Sequence, residues 1–96
     1  MTDLPVTLRH QGKLIPAVAL NVSCGGMYVE TETRELGLNS TVEVTFDLDS
    51  ENRDVSLCGV ISRVEDAPKP RIGIQFGSFF SAGHKTLREF LRKHVN

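Results

Sequence analysis

Apolar and polar residues alternate with a period of two along most of the chain. Val42, Val44, Phe46 and Leu48 interleave with Thr41, Glu43, Thr45 and Asp47, a pattern that turns one side of a strand to a core and the other to water. Val55, Leu57, Gly59 and Ile61 repeat it on a second strand that ends at the turn Asp66-Ala67-Pro68-Lys69-Pro70, and the polar segment 49–54 joins the two. Ile72, Ile74 and Phe76 then alternate with Arg71, Gly73 and Gln75. Upstream, Val6 and Leu8 mark a short strand that starts near Leu4, and Gln11-Gly12 turns the chain. A longer strand runs from Leu14 to Ser23, with Pro16 suited to an edge or a bulge. Gly25-Gly26 turns it into Met27-Tyr28-Val29-Glu30. Strict alternation sends Val18, Leu20 and Val22 into the core and sets Ala17, Ala19, Asn21 and Ser23 on the opposite face.

The period changes near the end. Leu87, Phe90, Leu91 and Val95 recur at i, i+3, i+4 and i+8, which predicts a helix over about 81–95 with Ser78 or Ser81 as its cap. Six strands cannot bury their apolar sides in a flat sheet of this size, whereas closure into a barrel hides the edges and fills the interior. The pattern therefore predicts an all-β, six-stranded antiparallel barrel over about 3–77 carrying a C-terminal helix.

Composition narrows the class. The 96 residues leave room for one core, so residues 1–96 read as a single domain. With 40% hydrophobic and 24% charged residues the chain is too apolar for disorder. No apolar run approaches the roughly 18 residues of a membrane helix, which predicts no membrane insertion. Met1-Thr2-Asp3-Leu4-Pro5 lacks the basic start and apolar stretch of a signal peptide, and two cysteines do not make a disulfide scaffold. The expected location is the cytoplasm. A net charge of −1 argues against DNA or RNA as a partner. That total hides a net +3 over residues 81–96 and −4 over residues 1–80. Lys85, Arg88 and Arg92 are thus candidate contacts for an acidic protein partner, the alternative being a solvated helix face.

Catalytic and metal chemistry find little support. Cys24, Cys58, His10, His84 and His94 have no zinc-site spacing. Cys58 reads as a small packed strand residue, and His84 and His94 as surface or rim residues of the helix. Asp47, Asp49 and Glu51 imitate the start of a calcium loop, but Asn52 and Cys58 stand where that loop needs Gly and Glu. There is no nucleophile elbow and no phosphate-binding glycine loop with its lysine. The reading is of a non-enzyme with no metal and no cofactor.

The informative segment is Asn21-Val22-Ser23-Cys24-Gly25-Gly26-Met27-Tyr28-Val29. Asn21 and Ser23 form a polar pair beside small residues, able to offer donors and acceptors to a base or a phosphate. Gly25 and Gly26 can let a ligand approach the backbone or take positive φ. The alternative is that the pair only holds the turn.

Asn21-x-Ser23-x-x-Gly26 resembles the (Asp/Asn)-x-Ser-x-x-Gly motif of PilZ domains. Gly59-x-Ile61-x-Arg63 and Arg71-Ile72-Gly73-Ile74-Gln75-Phe76 look like the late strands of that family, and the helix follows in the same order. The resemblance covers roughly residues 3–93. It implies a bacterial signalling or adaptor domain of the cyclic di-GMP receptor family, linked to motility, biofilm or polysaccharide output. By motif, Asn21, Ser23 and Gly26 would meet the dinucleotide; Arg63 would join them or else pair with Glu65 or Asp66. The family's Arg-x-x-x-Arg segment, which precedes the first strand, has no counterpart in these residues: Arg9 and Lys13 have the spacing but straddle the Gln11-Gly12 turn. The resemblance therefore implies weak or lost dinucleotide binding and action through protein contacts, the alternative being a working cyclic di-GMP receptor.

Overall fold

The alternating segments become six strands in a computed structural model that describes residues 3–66, 68–77 and 81–94. These are β1 (Leu4–His10), β2 (Lys13–Val22), β3 (Gly26–Thr31), β4 (Thr41–Phe46), β5 (Val55–Asp66) and β6 (Pro70–Phe76), followed by the helix α1 (Ala82–His94). All neighbouring strands are antiparallel, and they close into a barrel in the order β1-β2-β3-β6-β5-β4. The ring is uneven. β1 meets β4 through three residue pairs, Thr7–Thr45, Leu8–Val44 and Arg9–Glu43, while β1 and β2 are paired from Leu4–Ala19 to His10–Lys13. At Gln11 and Gly12 both φ values are positive, 51° and 79°, the conformation that matches a tight turn to the twist of its strands.

The interior is filled as the alternation predicts. Val44, Phe46, Leu57, Ile61, Ile74 and Phe76 are all buried together with Leu8, Val29 and Ile72. Both barrel ends are covered. At one end α1 lowers Leu87, Phe90 and Leu91 onto the core. At the other, the segment between β3 and β4 inserts Leu36, which the alternation gave no reason to single out. Ion pairs Lys13–Glu35 and Arg34–Asp66 tie that segment to the rim.

Two expectations about facing fail. Val18 does not enter the core: it is 39% exposed, and Leu20 is only half-buried, while Ala19 is fully buried and Ala17 is packed against the core. The cause is a β-bulge. Ala19 pairs with Val29 but Asn21 pairs with Tyr28, so Leu20 is an extra residue that inverts the alternation between Ala19 and Val22. Cys58 is not a packed residue either; it is exposed, because Leu57 and Gly59 take the inward positions on β5. In the hairpin between β4 and β5, Asp49 accepts the backbone N–H groups of Glu51 and Asn52 through Oδ1. Asp47 likewise accepts the Asp54 N–H. These carboxylates hold a turn in which Asp54 has φ 53°.

The helix begins where Ser81 Oγ accepts the His84 N–H at 3.1 Å, so Ser81 is the cap. Ser78 and Val95 lie outside the described residues, as does the side chain of His94. Lys85, Arg88 and Arg92 are exposed. His84 departs from the expected rim position: it is fully buried, with Nε2 2.6 Å from the Cys24 carbonyl oxygen.

Candidate functional site

The bulge at Leu20 is what brings the motif to the surface. Past it, Val22 turns inward while Asn21 and Ser23 face out. Ser23 and Gly26 close the β2–β3 turn: Ser23 N–H donates to the Gly26 carbonyl at 2.9 Å, and the Gly26 N–H donates to Ser23 Oγ at 3.2 Å. The turn-holding role of Ser23 is therefore realised in the structure. Asn21 is exposed, and its amide takes no hydrogen-bond partner among the described residues. Neither Gly25 nor Gly26 has positive φ. Gly26 is required for a different reason: a Cβ there would overlap the Ile74 carbonyl oxygen of β6, whereas one on Gly25 would meet open space.

Strand register aligns the remaining groups. Asn21 pairs with Tyr28, Tyr28 with Gly73, and Gly73 with Arg63, so these four residues form one outward row across β2, β3, β6 and β5. The adjacent row is Val18, Glu30, Arg71 and Glu65. Gly73 leaves a gap between Tyr28 and Arg63, and a Cβ at that position would already stand 3.1 Å from Arg63 Cβ. Asn21, Ser23, Gly26, Met27 and Tyr28 line a shallow depression of about 220 Å³. Small-molecule sites more often measure roughly 300–1,000 Å³.

Both arginines on these rows are occupied. Arg63 Nε lies 2.8 Å from Glu65 Oε2, which is the pairing that competes with a ligand role. Arg71 Nε donates to Glu30 Oε2 at 3.1 Å, in a half-buried pair. The Glu30 carboxylate first, and a hydrogen bond to the Tyr28 phenol second, push the Arg71 pKa further above its already high ordinary value. Arg71 is therefore a fixed cation held by two neighbours. Tyr28 and Arg71 were not legible as site residues from the motif, because only the register across β3 and β6 sets them beside Asn21 and Arg63. Among the described residues there is no cluster of three or more His, Cys, Asp or Glu side chains able to hold a metal ion.

A model of the PilZ domain matches residues 2–93. The chain belongs to the PilZ family. The family includes cyclic di-GMP receptors and adaptors; Asn21, Ser23 and Gly26, the residues that carry the motif resemblance, lie together along the depression beside the β2–β3 turn. Nine chains of solved structures match this PilZ domain. One is described as Bacillus subtilis inhibitor of motility, MotI or DgrA. It superposes with a TM-score of 0.79 at 18% identity, over 99% of this chain and 49% of that one, so the PilZ domain here spans about half of that chain. At that identity the likeness shows the fold alone. No curated protein matches the sequence. No helix among the described residues is long and apolar enough to cross a membrane.

Proposed function

We propose that this PilZ domain is a bacterial signalling adaptor with weak or lost cyclic di-GMP binding, acting through protein contacts. One observation carries the reading: Arg63 on the Asn21 row and Arg71 on the row beside it each already face a carboxylate, Glu65 and Glu30. A dinucleotide phosphate that approached either guanidinium would meet a like charge beside it. Residues 1–96 also hold no counterpart of the family's Arg-x-x-x-Arg segment; a charge-assisted arginine–phosphate contact contributes roughly 1.5–3 kcal/mol, so this form, without two of them, loses about 3–6 kcal/mol, or roughly two to four powers of ten in affinity. From a reference of about 1 μM this leaves a dissociation constant near 0.1–10 mM. The shallow depression beside Asn21 supports the same reading. The exposed basic face of α1, Lys85, Arg88 and Arg92, would meet an acidic protein partner. The structural neighbour's name connects such a barrel to motility output. The reading includes no catalysis, no resident cofactor, no nucleic-acid partner and a cytoplasmic location.

A second reading, a working cyclic di-GMP receptor that switches a motility, biofilm or polysaccharide partner, is favoured by the exposed Asn21 amide. Calorimetry with cyclic di-GMP separates the two. A dissociation constant above about 0.1 mM fits the adaptor, and one near or below about 1 μM overturns it in favour of the receptor.

A further inference from the structure

His84 is a fully buried polar side chain that the expected surface helix does not need. Its Nε2 reaches across from α1 to the Cys24 carbonyl oxygen, 2.6 Å away. Cys24 lies inside the Ser23–Gly26 turn that closes the motif. The next carbonyl in that turn, of Gly25, accepts the Phe76 N–H at 3.0 Å. The Phe76 ring in turn meets the His84 imidazole edge-on, with centroids 6.4 Å apart and planes at 82°. Two successive carbonyls of the turn are thus gripped from outside it, one by the helix and one by β6. The helix has little freedom to give way at this point. Ser81 caps its first turn, and a Cβ on Gly83 would overlap the Ser56 carbonyl oxygen of β5.

We propose that His84 couples the motif turn to the seat of α1, making α1 the element through which the Asn21–Ser23 face reports its state. The inference rests on that face being the signalling face, as proposed above. A carbonyl accepts one directed bond from this imidazole, so a shift of Cys24 breaks the His84 contact or moves the ring. Because Gly83 is packed backbone-to-backbone, the first turn cannot absorb a moved ring, and the disturbance passes along the helix to Leu87 and Phe90 and to the seating of its basic face. Coupling of this kind is reciprocal: whatever loosens the turn loosens the helix, and the reverse. His84 is a positioning residue here, since it touches the turn from beneath and lines no part of the depression.

The test is amide hydrogen exchange on the 96-residue protein, with no nucleotide present. His84→Asn withdraws the donor, because its amide nitrogen stands nearer the backbone than Nε2. His84→Gln keeps a donor close to the Nε2 position. The Asn variant is expected to raise exchange at the Gly26 and Phe76 amides about 3- to 10-fold, the loss of one hydrogen bond, while Val44 and Leu57 amides stay as they were; the Gln variant should restore protection. Conversely, Ser23→Ala loosens the turn from its own side and should raise exchange at Leu87 and Phe90 in the native background but not in the Asn variant. Unchanged helix exchange in Ser23→Ala overturns the coupling, as does unchanged turn exchange in the Asn variant. If the Asn variant does not fold, the Ser23→Ala arm and the imidazole nitrogen spectrum of the native protein decide: a proton found off Nε2 overturns the proposal. Failure of the adaptor reading would show instead in calorimetry, which these arms do not use.

Discussion

Gly26 and Gly25 stand side by side in the motif turn and have opposite demands. Replacing Gly26 with Ala drives a methyl group into the β6 backbone, so Gly26→Ala is expected to cost about 1–3 kcal/mol in chemical denaturation, and Gly25→Ala to stay within about 0.5 kcal/mol of the parent. The glycine of the motif is therefore fixed by strand packing as well as by any ligand. The arginine pairs give a second residue-level prediction. Glu65→Gln releases Arg63 from a largely exposed ion pair. Cyclic di-GMP affinity measured by calorimetry should rise about 2- to 5-fold, the size of one such pair; no change would mean that Arg63 does not reach the ligand. Individual residues were the least legible level of the sequence. His84 and Cys58 changed places between expected surface and expected interior, and Val18 was misplaced. Burial of an isolated polar or small side chain depends on what packs over it, and period-two counting carries no information about that.

At the scale of elements the sequence was far more readable. Every strand was predicted from its alternation, because an antiparallel strand with one wet face must repeat every second residue. What escaped was the extra residue in β2. A bulge leaves no mark in a run such as Ala17-Val18-Ala19-Leu20-Asn21-Val22, where both phases offer apolar side chains. The motif itself was legible, whereas its setting against Tyr28, Arg71 and Arg63 was not, since register between distant strands appears only when the ring closes. The helix was legible in its stripe from Leu87 to Leu91 and in Ser81 as one of its two candidate caps, and its surface carries a prediction of its own. Lys85, Arg88 and Arg92 are exposed while Phe90 and Leu91 are buried, so charge reversal should leave packing intact. Arg88→Glu with Arg92→Glu is expected to retain the circular dichroism spectrum and to abolish capture of the protein partner. Undiminished capture would remove the helix surface from the interaction.

As a whole the molecule depends on one core cluster that runs from the Leu36 end to the helix. A deletion in its middle is felt everywhere. Phe76→Ala should cost about 3–5 kcal/mol, a large share of the roughly 5–15 kcal/mol that holds a domain folded, and thermal melting should fall accordingly. The ring itself is thinnest where β1 meets β4, through three residue pairs. Those strands are also separated by thirty residues and more, so their joint forms late for entropic reasons. Parting there turns a closed surface into a curled sheet with two bare margins, each a template for another chain. Pro5, which has no N–H to offer, sits on one of those margins beyond the last β4 pair. The protein's solubility under stress thus hangs on a seam remote from the motif, and a proline guards it against self-association.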